Sequence, residues 1–506
     1  MNEIKQLNRN WILAALMLTM TLAAMDTTIV STAIPEIVAD LGGFSKFSWV
    51  FSIYLLAQTV TIPIYGKLSD LFGRKKILIF GIILFLIGSL SSGLAWNIET
   101  LIIFRGFQGL GAGSIMATVN TIAGDIYSVE ERAKIQGYLS SIWGVSAILG
   151  PAIGGALTEY VHWRWIFLIN LPFGAIAIFF LMRYFHEKIQ VHKTKIDYKG
   201  ATLIIVTLSL LFVLLLESGQ SWSWISPQSI SLFSTIVILS YLTYRIEDKT
   251  EHAIIPVWIW RNKTIAFTNL AIIAMGVIMM GPDTLLPTFT QAALGVGTIA
   301  SGFILASMSI GWPTASALSG RLYLKIGFKN TSIIGAIIVF TSCVFFILIP
   351  KPQPIYLLVI NQVMIGAGFG LLSTPSLVGI QSMVKWEQRG VVTSSNIFAR
   401  NLGQSIGAAI VGAIFNNSLN QQIKNHKELT DFNTEQVLTT IKFTKENLPI
   451  KSLLRDLVNN ATHHVYWGLI LFSVIILIFL MLIPGKKERK KDVLNLTGNM
   501  PQQESL

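Results

Sequence analysis

A single cysteine, Cys343, stands in 506 residues, so an internal disulfide is excluded and a thiolate metal cluster with it. The seven histidines show no H-E-x-x-H or comparable ligand spacing, and no nucleophile–base constellation can be traced. No metal, cofactor or enzyme chemistry is expected. Charge is scarce as well: Asp, Glu, Lys and Arg make up 13% of the chain against 52% hydrophobic residues, with mean hydropathy +0.61. A soluble domain carries about 25% charged residues, so these numbers describe an integral membrane protein. A cleavable leader pattern is missing too, because Met1 to Asn10 is short and polar and the first apolar run is a full span. The net charge of +12 would ordinarily suggest nucleic acid. Membrane topology accounts for it better, and no nucleic-acid partner is expected.

What the chain has in abundance is apolar runs of spanning length. They fall at about 11–34, 48–66, 77–96, 101–124, 135–158, 165–184 and 199–217, then at 228–245, 265–287, 299–320, 331–349, 355–378, 393–415 and 465–484. Fourteen is an even number, which places both termini on one side. With the N-terminus inside, 27 Lys and Arg lie in cytoplasmic segments, 9 outside and 2 deep in spans. The positive-inside rule then sets both ends in the cytoplasm of a multi-pass cell-membrane protein.

Charged residues inside spans are costly, about 2.5–3.5 kcal/mol for an aspartate even on the lenient insertion scale, so they tend to do something. Asp26 lies in span 1, in WILAALMLTMTLAAMDTTIVSTAIP, about 22 Å along the helix from Trp11. It reads either as a proton- or substrate-binding carboxylate or as a packing carboxylate satisfied by a neighbouring Ser or Thr. Arg105 in span 4 falls at a similar depth. An arginine there favours the carboxylate, while burial favours the neutral acid. A proton carrier needs burial to win, which points to a switching contact rather than a permanent Asp26–Arg105 pair. Asp283 in span 9, within Gly281-Pro282-Asp283-Thr284, reads as a second protonation or cation site or as a local helix breaker. Arg400 in span 13 is expected to snorkel or to bond backbone carbonyls.

The chain also repeats itself. Gly66-Lys67-Leu68-Ser69-Asp70-Leu71-Phe72-Gly73-Arg74-Lys75 after span 2 returns as Gly320-Arg321-Leu322-Tyr323-Leu324-Lys325-Ile326-Gly327-Phe328-Lys329 after span 10. Gly109, Gly111 and Gly113 match Gly366, Gly368 and Gly370, while Glu130 and Arg132 match Glu387 and Arg389. This gives an all-α membrane protein of two six-helix bundles, residues 1–185 and 265–484, with two inserted helices in 186–264 and a basic cytoplasmic tail at 485–506. Parallel repeats of this kind bind substrate near the midplane between halves that rock. Residues 416–464 form a long external segment with weak helical periodicity in Glu435–Lys445 and Lys451–Val458. It reads as a lid, a docking hairpin or a tolerated loop.

Met25-Asp26-Thr27-Thr28-Ile29-Val30, the Gly66–Lys76 loop, Arg105-Gly106-Phe107-Gln108-Gly109, and Gly144 through Gly150-Pro151 to Gly154-Gly155 occur in that order. In these motifs the chain resembles the major facilitator superfamily, in particular its fourteen-span drug–proton antiporters. The resemblance implies the major facilitator fold and a bacterial membrane. It implies proton-coupled multidrug efflux of small amphipathic, often cationic compounds by alternating access, with protons, drugs and membrane lipid as partners and a monomer as the working unit. Protons and drug would compete for Asp26, with Asp283 and Arg105 beside it. It also implies a latch: Arg74 pairs with Asp125 at the inner end of span 4, and Asp70 meets the positive end of span 13, with Gly66 and Gly73 shaping the loop. The second copy has Leu324 in place of the aspartate, so one latch is expected. The span-5 motif of Gly144, Gly150, Pro151, Gly154 and Gly155 is the antiporter signature, and its small residues predict close packing between the halves. Two rivals remain: a narrow-range exporter of a metabolite, peptide or lipid, and a non-transporting membrane sensor.

Overall fold

The computed structural model describes residues 2–42, 46–187, 197–218, 222–250, 253–350, 353–426 and 449–485. Among them the regular structure is helical apart from a lone bridge between Ser218 and Trp222. The first half comprises α1 (Asn2–Leu41), α2 (Phe47–Phe72), α3 (Arg74–Gly93), α4 (Ile98–Ile126), α5 (Val129–Tyr160), the short α6 (Trp165–Leu168) and α7 (Asn170–Tyr184). Then come α8 (Tyr198–Glu217), α9 (Pro227–Glu247) and the single turn α10 (Trp258–Arg261). The second half holds α11 (Lys263–Ala292), α12 (Thr298–Ala306), α13 (Met308–Ile326), α14 (Phe328–Leu348), α15 (Ile355–Gln381), α16 (Arg389–Asn425) and α17 (Pro449–Leu482).

Local chemistry sets the helix ends. Asn97 and Thr100 close a capping box at α4, and Ser128 with Glu131 does the same at α5, each satisfying amide groups that the first turn leaves free. Twelve of the described helical stretches are long and apolar enough to cross a bilayer. Two of the fourteen expected spans miss that measure. Glycines, Arg105 and Gln108 dilute α4, and the chain from Thr298 to Ile326 is broken at Ser307 into α12 and α13. Both nevertheless pack inside the bundle, α4 against α2 and α3, α13 against α5 and α15.

Each half has its own apolar core. One draws on residues 271–483 only; the other draws on residues 12–185 plus Ile397. The seam between the halves is made mainly by α5 on α13 and α2 on α16. The inserted pair is peripheral: α9 packs chiefly on α8, and α8 rests on α2 and α16. The segment 416–464, expected to be external, is partly helix, since α16 runs on to Asn425 and α17 begins at Pro449. The helical reading of 451–458 therefore falls within α17. Residues 435–445 and the basic tail beyond 485 lie outside the described residues.

Candidate functional site

Three constellations of charge occupy this frame. The first is a closed nest around Asp26. Arg105 Nη1 donates to Asp26 Oδ2 at 2.5 Å and Gln108 Nε2 to Oδ1 at 2.7 Å, with Asn170 Nδ2 at 3.5 Å. Arg105 Nε reaches the Val50 carbonyl, and its guanidinium sits 4.2 Å from the Tyr54 ring centre. Both partners of the ion pair are fully buried. The sequence predicts that Asp26 and Arg105 lie level, and they do. It predicts a switching contact, whereas here the pair is tight. An ionised carboxylate in this interior is tolerated only with its counter-charge and hydrogen bonds in place. Nor does Asp26 line the cavity between the halves; its partners come from α4 and α7, and those of Arg105 from α2 as well, all of the first half.

The second constellation closes the seam at the α2–α3 turn. Arg74 is buried, yet its Nη2 reaches Asp70 at 2.7 Å and its Nε reaches Asp125 at 3.0 Å. Asp125 also takes Arg389 Nη1 at 2.9 Å. Asp70 accepts the Gly390 and Val391 amides, both at 2.9 Å, at the start of α16. This is a carboxylate on a helix N-terminus in the other half. Gly66 makes that approach possible, because a Cβ there would meet Ser394 of α16. Gly73 holds φ at 96°, in the region that favours glycine. Three partners were not foreseen from the sequence: Arg389, known only as the repeat of Arg132; Trp386, whose ring lies 3.5 Å below the Arg74 guanidinium; and Glu187, which accepts the Arg74 and Lys75 amides.

The glycines of span 5 do something different from the expectation. Gly150 and Gly154 press on Thr28, Ile29 and Thr32 of α1, inside the same half; Gly144 alone of this set faces the other half, against Ser309 of α13; Gly155 has open space where its Cβ would be. The packing expected between halves is mostly packing within one. The reason is that α5 shows one face to α1 and another to α13, and spacing alone does not say which glycine is on which.

The third constellation is a cavity between the halves, lined by Asn120, Gln136, Met275, Trp312, Asn396 and Arg400 among others. The carbonyl of Asn120, one of its lining residues, accepts from Gln381 Nε2 of α15 at 3.3 Å, a bond between the halves. No residue of 186–264 lines it. Among the described residues Arg400 neither snorkels to a carbonyl nor pairs; it borders the cavity. Asp283 is half-buried on α11, outside that lining, and α11 runs unbroken through Pro282 and Pro287, against the helix-breaker reading.

Two bundles of membrane-spanning helices, with an ion-pair cluster and a polar cavity at their seam, fit a multi-pass transporter. Comparison with known proteins gives the family: residues 16–408 match the Major Facilitator Superfamily, and the chain belongs to it. It is 36% identical over 430 residues to multidrug resistance protein 3 of Bacillus subtilis, covering 84% of this chain and 83% of that protein. It is also 36% identical over 416 residues to the multidrug transporter protein MdtP of the same organism (82% and 76%), and 30% identical over 407 residues to the multidrug efflux pump SdrM of Staphylococcus aureus (79% and 88%). The human organic anion transporter MFSD10 shares the fold with TM-score 0.62 at 13% identity, over 94% of this chain and 99% of that one.

Proposed function

We propose that this chain is a proton-coupled multidrug exporter of fourteen spans, counting α4 and α12–α13, with both termini in the cytoplasm. The latch would then close the cytoplasmic side, and this conformation is one that has delivered its cargo outward. The observation that carries the reading is the buried Asp26–Arg105–Gln108 nest. It is a carboxylate whose charge state has a large structural consequence, in a chain with multidrug-efflux relatives. Protonating Asp26 removes the counter-charge of Arg105 and loosens the nest. Asp26 is on α1, α1 meets α5 through Gly150 and Gly154, and α5 meets α13 through Gly144. Proton uptake thereby reaches the seam through packed helices, and drug and proton need not share an oxygen. Asp283 supplies attraction for cationic cargo from its own place on α11.

The test is efflux of a cationic and a neutral amphipathic dye from proteoliposomes under an imposed pH gradient. Wild type exports both. Asp26→Asn abolishes coupling to the gradient, and Asp283→Asn slows the cation more than the neutral dye. Wild-type flux no faster than protein-free vesicles would defeat the exporter reading. Full pH-driven export by Asp26→Asn would make Asp26 structural.

A further inference from the structure

Arg400, half-buried on α16, differs from the other arginines of the seam and the bundle cores; Arg132 bonds the Tyr127 carbonyl and Ser382. Arg74 pairs with Asp70 and Asp125, Arg105 with Asp26 and Arg389 with Asp125. Arg400 has no ion pair, hydrogen bond or ring partner among the described residues, and no Asp or Glu lines the cavity it borders. A guanidinium does not lose its proton in a protein, so the cavity carries a fixed positive charge. Leaving such a charge unmatched inside a membrane is expensive; an anion entering the cavity would offset that cost.

The nearest candidate counter-ion on its own side is out of reach. Gly276 lies against the Arg400 carbonyl, and Asp283 is seven residues farther along α11, about 10 Å. The groups around Arg400 suit an amphipathic anion. Gln136 and Asn396 offer amide groups: Gln136 donates to Asn120 at 3.2 Å and Asn396 to Asn269 at 3.1 Å, each through its NH2, so the polar wall is held in place. Trp312, Met275 and Ile272 give the apolar wall. Polar groups predominate in the lining, with Ser140, Ser373 and Thr374 beside the amides, and the apolar side chains occupy the remainder, so a ligand with a charged end and an apolar body finds a partner for each.

We infer that Arg400 makes the cavity between the halves a subsite for the carboxylate of an amphipathic substrate, so that the cargo includes organic acids and zwitterions as well as cations. This rests on the exporter reading for its transport meaning, but binding tests it separately. The experiment measures equilibrium binding of dansylglycine and of its methyl ester to the purified full-length protein, by tryptophan-to-dansyl energy transfer. The two probes share the ring system and differ in the charge. Wild type should bind the acid about tenfold tighter than the ester. Arg400→Gln should erase that preference by weakening the acid alone, and Arg400→Lys should keep part of it. An acid bound no tighter than the ester by wild type, binding of neither probe, or an undiminished preference in Arg400→Gln would each overturn the inference. Should Arg400→Gln fail to fold, wild type and Arg400→Lys still decide it, because loss of all preference in Arg400→Lys, with the charge retained, would itself overturn a charge-based subsite. Binding without pH-driven flux would bring down the exporter reading and leave this one standing.

Discussion

At the α2–α3 turn Gly73 takes φ 96°, and at the α13–α14 turn Gly327 takes φ 88°. Two residues on, a lysine turns back in both. Lys75 Nζ donates to the carbonyls of Met182 and Phe185 at 3.1 and 2.5 Å, and Lys329 Nζ to those of Met481 and Ile483 at 2.9 and 2.6 Å. In each half a cation therefore sits on the C-terminal carbonyls of the last helix, where the dipole favours it. There the likeness ends. Where the first turn has Asp70 and Arg74, the second has Leu324, half exposed at 52%, and Phe328. The second turn has a ring contact inside its own half, Tyr323 on Phe328 at 4.7 Å, and meets the first half through apolar packing on Val129 and Ala133 and through the Tyr323 hydroxyl donating to the Val129 carbonyl at the start of α5. The skeleton of the turn is thus a feature of the half, and the latch is a feature of the first copy alone. One seam is closed by charge that water or a proton can compete for, the other by packing and one neutral hydrogen bond.

The largest effect is expected from removing the Arg74 cation. Arg74→Ala deprives Asp70 and Asp125 of a buried partner, a class of change that costs about 3–5 kcal/mol. Both carboxylates also hold groups across the seam, Asp70 the Gly390 and Val391 amides and Asp125 the Arg389 guanidinium, so much of that cost falls on the closed conformation. A cysteine placed in the cavity as Ser373→Cys reports opening, since the native Cys343 is buried. Its labelling by an impermeant thiol reagent from the latch side should rise by about a hundredfold in Arg74→Ala. Phe328→Ala in the second turn should raise it far less. Equal effects would mean that both turns latch by packing.

A smaller effect is expected when charge goes but hydrogen-bonding shape stays. Asp70→Asn can still accept from the α16 amides through its one carbonyl oxygen. It loses the favourable charge at the helix N-terminus, about 0.3–2 kcal/mol, and its ion pair with Arg74. Labelling of the same cysteine should rise by about tenfold or somewhat more. The reciprocal change, Leu324→Asp, should not create a second latch, because Phe328 supplies no cation where Arg74 does. If Leu324→Asp slows labelling below wild type, the turn's skeleton alone is enough to latch.

Much of this architecture was legible in the sequence because hydropathy and a long-offset repeat both report on it. The repeat also located the one charged turn, since the loss of Asp70's counterpart at Leu324 is visible as a letter. Three things were not legible. The tightness of Asp26–Arg105 depends on Gln108, Tyr54 and Asn170 arriving from three helices, and depth along a span says nothing of rotation about it. The partners of the span-5 glycines needed the same rotational information. The freedom of Arg400 was hidden because an absence of partners is a property of the folded surroundings and leaves no mark on the residue itself.

The smallest expected effect concerns what the two turns share. Lys75→Met and Lys329→Met keep an unbranched apolar stem and delete only the charge that meets the last carbonyls of α7 and α17. Each should lower stability by about 0.3–1 kcal/mol, and by similar amounts, since each lysine reaches two carbonyls at comparable distances. Neither partner helix belongs to the other half, so neither substitution should alter labelling of the cavity cysteine. Thermal unfolding of the purified variants, read beside the labelling rates, separates the two properties. Matched small losses of stability with unchanged labelling place the lysines in the skeleton of each half. A Lys75→Met protein that labels faster while Lys329→Met does not would move Lys75 into the latch and make the first turn different at every charged position.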